Sequence, residues 1–426
     1  MGLVAAAAAS AHSKEPSCAG VSAGFPVARG RVARPLWLES ARPFPYAART
    51  GNQCQTCHFD PNGGGPRNDF GFTFARNRHS LDQEPEGSPW RDLTLTNRVG
   101  ENMPLYIGTN QRFMVFTNDA GDPKGVDRFG FFNMENAISL TFKPHEQLTL
   151  VYVHDSFASQ PNATDQTRDA FGMLSGGPWS TYLKAGRFRN PFGLRLDDHT
   201  VATRNAFLDF AGGETFLPYD PRYPDMGVEI GTLQTNWFGR ASFTNGSEDI
   251  FQGGHAQTSA AKIGHNNAAF QSGVSFYDAF NRVTFAPIKR GTRWGYYGLT
   301  HRGPFALLGE VAAGTDEAQP PPGFASGAKR NSLAWYAELD YAPVRYVNVR
   351  GRYDYLVHDH STDDAVREAN THSRYALEAS GCRSRSVRSA APCAGSITRD
   401  DDGYSAIVGQ AIKDETQAFL QFHFSY

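Results

Sequence analysis

The 426-residue sequence has no long hydrophobic run and no excess of charge of either sign. Because no stretch of about 18 apolar residues occurs and the mean hydropathy is −0.47, a helical membrane protein is excluded. Basic and acidic residues number 41 and 43, a balance that excludes an electrostatic surface for nucleic acid. Walker loops, H-E-x-x-H pairs and G-x-S-x-G elbows are also missing, so no hydrolase or transferase site is indicated.

Aromatic residues, in contrast, are abundant, with 31 Phe, 17 Tyr and 6 Trp, which excludes a disordered chain. Residues 91–426 consist largely of segments in which apolar and polar residues alternate. In Leu333–Tyr341 the odd-numbered residues are apolar and are predicted to face outward, whereas Tyr336, Glu338 and Asp340 face inward. Such segments match a tilted membrane-spanning strand, which needs about 9–11 residues.

The connections between these segments alternate between short and long. Tight turns are predicted at residues 143–147, 301–304 and 342–345, and long polar loops at 158–178, 245–267, 314–331 and 380–403. The last segment alternates up to an aromatic residue, Tyr426, which is typical of bacterial outer-membrane proteins. We therefore predict an all-β fold, a transmembrane antiparallel β-barrel of about 12–16 strands, whose lumen is too wide to be filled by side chains alone.

A second signal precedes the barrel. Cys54-Gln-Thr-Cys57-His58 has the C-x-x-C-H spacing of covalent haem c attachment. In such sites two thiols on one tight turn bind the haem vinyl groups, and the following histidine coordinates the iron. The alternatives are a thioredoxin-like redox pair and half of a zinc site. The first is expected beside a βαβ pattern and the second needs another Cys or His pair, and the neighbouring sequence has neither.

The second axial ligand of the haem iron has two candidates, His79 and Met103. His79 gives a bis-His site of lower potential, and Met103 would raise the potential. Each also has a plainer interpretation, His79 as a solvated residue in a basic run and Met103 as a barrel-entry residue that faces lipid or core.

Haem attachment of this kind takes place outside the cytoplasm, so we expect export through the periplasm to the outer membrane. Residues 1–45 are interpreted as a leader and linker, although the leader has no positive n-region. An oxidising compartment permits a disulfide, which we predict between Cys382 and Cys393 across an exposed loop, with two free thiols as the alternative.

Residues 46–90 form the monohaem segment in this interpretation. About 40 residues are few for an independently folded domain, and a haem needs a water-limited setting. We therefore predict that the segment is a plug in the mouth or lumen of the barrel, where the barrel wall completes the haem pocket.

This layout resembles the outer-membrane cytochrome–porin fusions of iron-oxidising bacteria. The resemblance rests on the run from Tyr46 to Gly51 before the haem motif, and on Asn68-Asp-Phe70-Gly71 after it. Residues 183–193 are in addition similar to a strand and turn of phosphate-selective porins. The resemblance implies electron transfer of the iron oxidase type, from extracellular ferrous iron across the outer membrane to a periplasmic electron carrier.

Two other functions are compatible with the sequence. One is a porin for small anions whose haem is structural or regulatory; the other is a scaffold around a separate multihaem cytochrome. Arg350 and Arg352 bear on the first, because they either line an anion path or pair with Glu338, Asp340 and Asp354 in a ladder across the lumen. We prefer the ladder.

Overall fold

The computed structural model describes residues 50–76, 96–100, 103–118, 128–155, 167–196, 201–204, 224–246, 257–280, 288–318, 329–344, 347–357, 371–382, 392–401, 403–405, 410–412 and 415–425. These residues all belong to one compact unit that spans Leu38–Tyr426.

Sixteen of the described strands close into one antiparallel barrel. They are β1 (Leu105–Asn118), β2 (Arg128–His145), β3 (Leu148–Asp155), β4 (Thr167–Gly177), β5 (Thr181–Phe188), β6 (Asp225–Leu233), β7 (Trp237–Thr244), β8 (Gln257–Asn266), β9 (Phe270–Phe280), β10 (Ile288–Arg302), β11 (Phe305–Ala318), β12 (Lys329–Val344), β13 (Val347–Val357), β14 (Thr371–Cys382), β15 (Pro392–Asp401) and β18 (Glu415–Ser425). Neighbours in sequence pair with each other, and β18 closes the barrel by pairing with β15 and β1. The short strands β16 (Gly403–Ser405) and β17 (Gln410–Ile412) form a separate two-stranded sheet.

The alternation of side chains explains the barrel. In β12, Leu339 is 50% exposed on the outer face, while its neighbour Glu338 is 1% exposed and points into the lumen. The outward set of Ile138, Leu140 and Phe142 in β2 has the same exposed character. A strand whose apolar side chains all face outward is stable only where the surroundings are apolar, as they are in lipid. The predicted inward and outward faces are confirmed.

Aromatic side chains gather on the outer face beside the short turns. Trp179 lies in the turn between β4 and β5, and Trp237 begins β7 after the next short turn. Phe305 and Tyr341 stack with ring centroids 4.9 Å apart near the same end. Aromatic girdles of this kind mark the boundary between lipid and headgroups in outer-membrane barrels.

The lumen-facing charges of β12 and β13 pair with each other. Arg352 Nε donates to Asp354 Oδ2 at 2.8 Å and its Nη1 lies 4.0 Å from Glu338. Arg350 pairs with Glu378 on β14. The predicted pairing is confirmed for Arg352 with Glu338 and Asp354; Arg350 also lies 4.0 Å from Glu338, but its nearer partner Glu378 was not predicted.

The predicted turns are confirmed. β2 ends at His145 and β3 begins at Leu148, and the pairs β10–β11 and β12–β13 are joined as tightly. We call the end that carries these connections, together with residues 178–180, 234–236 and 267–269, the short-turn end. The predicted long loops were too long, because β4 occupies 11 of the 21 residues in 158–178 and β15 occupies 10 of the 24 residues in 380–403. Strands that continue past the apolar band carry polar residues on both faces, so their alternation is hidden.

The cysteines of the predicted disulfide lie on two paired strands. Cys382 ends β14 opposite Pro392, and Cys393 on β15 is opposite Gly381. The two cysteines are thus close in register but are not direct partners, and their side chains lie outside the described residues. The disulfide stays a prediction.

Helical structure is scarce among the described residues. Helix α1 spans Asp69–Arg76, and short 3-10 helices span Cys54–Thr56, Pro178–Ser180 and Ala202–Arg204. Of the helices in these ranges, none is long and apolar enough to cross a membrane.

Candidate functional site

The C-x-x-C-H motif forms one compact turn. The backbone N–H groups of Cys57 and His58 both donate to the carbonyl of Cys54, at 3.1 and 3.0 Å. Both cysteines are half-buried free thiols. The turn therefore presents two thiols and an imidazole within five residues, which is the donor set that c-type haem attachment requires.

Asn68 connects this turn to the helix that follows. Its side-chain nitrogen donates to the carbonyls of Gln55 and Thr56 at 3.2 and 3.1 Å, and its side-chain oxygen accepts from the N–H of Gly71 at 2.9 Å. The last bond is an N-cap of α1. The side chain of Asn68 thus holds the C-x-x-C-H turn and also caps the helix. These bonds are the structural role of Asn68 in the Asn68-Asp-Phe70-Gly71 run.

Gly71 packs α1 against the motif. A Cβ at this position would lie 2.0 Å from the carbonyl oxygen of Cys57, far inside contact distance. The helix approaches the turn so closely only because residue 71 has no side chain.

A glycine-rich turn covers Cys54 from the other side. Gly63, Gly64 and Gly65 have φ values of +87°, +76° and +59°, which favour glycine. A Cβ on Gly63 would lie 3.1 Å from the Cβ and Sγ of Cys54. The sequence predicted that these glycines allow a close backbone approach to a flat ligand; in the structure they approach the thiol that would carry it.

Residues 50–76 lie inside the barrel, as their bonds to inward-facing side chains show. Asn62 donates to Glu229 on β6 at 2.8 Å and accepts from Arg240 on β7 at 3.0 Å. Lys184 on β5 lies 3.3 Å from Asp60 and 3.1 Å from Glu229. All of these wall residues are buried.

Contacts at the short-turn end fix the beginning of the segment. The side chain of Gln53 donates to the carbonyl of Gln234 at 2.7 Å, and Asn266 donates to the carbonyl of Gly51 at 3.3 Å. The haem motif therefore lies near the short-turn end, and residues 60–66 reach farther into the lumen. Residues 77–90 of the predicted plug lie outside the described residues.

A second segment enters the lumen from the opposite end. In the connection between β5 and β6, residues 189–196 and 201–204 pack against the inner wall. Arg204 donates to Glu310 on β11 at 2.8 Å and to the carbonyl of Phe192 at 2.6 Å, and the N–H of Leu194 donates to Glu310 at 2.8 Å. The sequence analysis missed this insertion. The apolar run Phe192-Gly-Leu194 within a polar connection was the available signal.

The two inserted segments meet at a narrow cleft of about 20 Å³. Asn62 and the three glycines line one side, Arg189 and Leu196 line the other, and Phe171 belongs to the wall. From this cleft the first segment contacts β1 and β5 through β8, and the second extends across the lumen to β11, β12 and β13.

The described residues do not decide between the two candidate distal ligands. Met103 lies two residues before β1, is 54% exposed, and its carbonyl accepts from Arg98 at 3.0 Å. His79 lies outside the described residues. The choice between them stays a prediction.

Burial affects the reactivity of the motif. Burial and the neighbouring Cys54 raise the pKa of the Cys57 thiol to about 11, against the opposing effect of Arg67. Cys57 is therefore a protonated thiol at neutral pH and a poor nucleophile on its own.

Comparison with known proteins supports the barrel. No protein-family model matches the chain, and no curated protein matches it. Among solved structures, the anion-selective porin from Comamonas acidovorans matches with a TM-score of 0.57 and 10% identity, over 76% of this chain and 99% of that chain. The outer membrane channel DcaP of Acinetobacter baumannii matches with a TM-score of 0.55 and 11% identity, over 78% and 100%. OmpT of Vibrio cholerae gives 0.54 and 10%, over 78% and 100%.

At these identities the similarity establishes the fold alone. Together with the outward apolar faces, it identifies the chain as a porin-like β-barrel of the outer membrane.

Proposed function

We propose that this barrel is an outer-membrane c-type cytochrome that carries electrons across the membrane through one covalent haem in its lumen. The observation that carries the proposal is the position of Cys54, Cys57 and His58 on a segment bonded inside the barrel. A C-x-x-C-H turn enclosed by a barrel wall has the donor set and the shielding that a c-type haem requires.

Each residue has a defined part in this proposal. Cys54 and Cys57 form the thioethers, His58 supplies one axial nitrogen, and Asn68 and Gly71 hold the turn against α1. When bound, the haem supplies a one-electron ferrous–ferric couple. The lumen wall excludes bulk water and fixes the orientation of the turn.

The location of the motif indicates which partner it meets. Short turns face the periplasm in bacterial outer-membrane barrels. The motif lies at the short-turn end, so it is close to where a periplasmic electron carrier would dock. Extracellular ferrous iron is the donor that we propose from the family resemblance, and it would approach from the end with the long connections.

Redox spectroscopy of the purified, detergent-solubilised chain tests the proposal. We expect a c-type absorption spectrum, haem that stays bound on a denaturing gel, and rapid reduction by ferrous iron. The double variant Cys54→Ala/Cys57→Ala is the matched control and should lose the bound haem while keeping the β-rich circular dichroism spectrum. Absence of covalent haem from the parent chain would refute the cytochrome.

A pore for small anions is the second candidate, and the fold comparison favours it. The matched structures are described as porins and channels, one of them an anion-selective porin. Planar-bilayer recordings separate the two functions. A pore gives large conductance with a reversal potential set by anions, whereas a lumen filled by residues 50–76, 189–196 and 201–204 gives little conductance.

A further inference from the structure

Two cations lie side by side on the lumen wall next to the haem motif. Arg240 on β7 and Lys262 on β8 are direct register partners. Both point inward, at 6% and 7% exposure. Arg240 bonds Pro61 and Asn62, and a Cβ on the next residue, Gly63, would lie 3.1 Å from the Sγ of Cys54.

Neither cation contacts a carboxylate among the described residues. Arg240 donates to the side-chain oxygen of Asn62 at 3.0 Å and to the carbonyl of Pro61 at 2.6 Å, and its Nε has no acceptor within the described ranges. Lys262 donates to the carbonyl of Gly193, and its ammonium lies 4.6 Å from the ring centroid of Tyr297.

The neighbouring lumen cations differ in this respect. Lys184 lies 3.1 Å from Glu229, and Arg204 lies 2.8 Å from Glu310. Asp60 lies 3.3 Å from the same Lys184, so Lys184, Arg204, Arg240 and Lys262 share three carboxylates, and one positive charge is left over. A buried charge without an opposite charge is strongly destabilising, and like charges directly opposite on paired strands add to the cost. This one excess positive charge favours the binding of an anion beside Arg240 and Lys262.

A third donor faces the same space. Tyr297 on β10 is 1% exposed and lies beside Lys262, and its buried hydroxyl has no hydrogen-bond partner among the described residues. A guanidinium N–H, an ammonium and a phenol hydroxyl are the donors that carboxylate and phosphate oxygens bind best.

We infer that Arg240, Lys262 and Tyr297 form an oxyanion-binding site in the lumen beside Cys54. The oxyanion has two sources. One is a propionate carboxylate of a haem attached at Cys54, and this source rests on the proposed function. The other is a free oxyanion such as inorganic phosphate, which requires no haem. Because each cation also holds one inserted segment, the bound anion would stabilise both segments at their meeting point.

The first arm of the test measures the midpoint potential of the haem-loaded full chain. Losing a positive charge beside a haem propionate disfavours the reduced state, so Arg240→Gln and Lys262→Gln should each lower the potential. We expect up to a tenfold change in the redox equilibrium constant, about 59 mV for one electron. Lys262→Arg keeps the charge and should keep the potential. Arg374 on β14 donates to Asp354 at 3.2 Å. The control Arg374→Gln removes this lumen cation and should leave the potential unchanged.

The second arm measures binding of inorganic phosphate to the full-length Cys54→Ser/Cys57→Ser chain by calorimetry. If the site takes a free oxyanion, this chain binds phosphate, and adding Lys262→Gln lowers the affinity at least tenfold while Lys262→Arg preserves it. A potential shift in the first arm assigns the site to a propionate; phosphate binding without that shift assigns it to a free anion.

The two proposals fail separately. Absence of covalent haem refutes the cytochrome, and the phosphate arm then decides the oxyanion site alone. If the potential does not respond to either substitution and phosphate does not bind, the oxyanion site is refuted. Circular dichroism spectra of all variants exclude misfolding as the cause.

Discussion

Replacing Gly71 with alanine tests whether close packing of α1 holds the haem motif in place. Helix propensity alone makes this change stabilising by about 1 kcal/mol. The structure predicts the opposite, because the new Cβ would lie 2.0 Å from the carbonyl oxygen of Cys57, and real Cβ contacts stay beyond 3.0 Å. The helix must therefore move by about 1 Å, which strains the bond from Asn68 N–H to the same carbonyl, 3.0 Å long.

Overpacking of this kind costs about 1–3 kcal/mol. Because a contact of 2.0 Å stands at the severe end of that range, about 3 kcal/mol, a net loss of about 2 kcal/mol remains after the propensity gain of about 1 kcal/mol, which lowers the docking equilibrium of the segment by about 30-fold. Limited proteolysis of the full chain in detergent measures this loss at residues 50–76, and haem staining of a denaturing gel measures attachment. Thr73→Ala, at an exposed position of the same helix, is the control. Equal protection of the two variants would refute the packing argument.

Three further predictions address the lumen. Asn62→Ala removes the hydrogen bond that Asn62 donates to Glu229 and the one that it accepts from Arg240. Both buried charges lose a partner, so the segment should loosen and planar-bilayer conductance should rise; unchanged conductance would contradict this. Glu310→Gln breaks a fully buried pair with Arg204, at a cost of about 3–5 kcal/mol, and thermal unfolding should show a lower midpoint than in Arg374→Gln. In chains without haem, alkylation of Cys57 should be slow at pH 7 and should rise with pH until about 11, the pKa of this thiol; a rate independent of pH would contradict its burial.

The barrel could be predicted because short stretches of the sequence are enough to indicate its strands and turns. In Leu333–Tyr341 the polarity of each side chain indicates which face of the strand it occupies, and a tight turn can be recognised from two or three residues. The C-x-x-C-H motif is local for the same reason. β15 was missed, because a strand with polar residues on both faces gives no periodic signal.

The surroundings of the motif could not be predicted in the same way. In the sequence, nothing distinguishes Arg240 and Lys262 from other inward-facing polar residues of the strands. Their proximity to Cys54 depends on the register of β7 with β8 and on the path of residues 50–66 through the lumen. The insertion of residues 189–196 and 201–204 depends in the same way on partners that are distant in sequence. Arg204, for example, bonds Glu310, which lies 106 residues farther along the chain.

The anchoring of residues 50–76 also sets an order of events during biogenesis. Lys184 donates to the carboxylate of Asp60, 124 residues away in sequence, and Gln53 donates to the carbonyl of Gln234, 181 residues away. Contacts between such distant parts of a chain form late in folding. Pulse-labelled cells should therefore contain chains that already carry haem but whose N-terminal segment is still sensitive to protease. In the proposed cytochrome, the thiols would be open to haem attachment before these contacts form, and the barrel wall would enclose the cofactor afterwards.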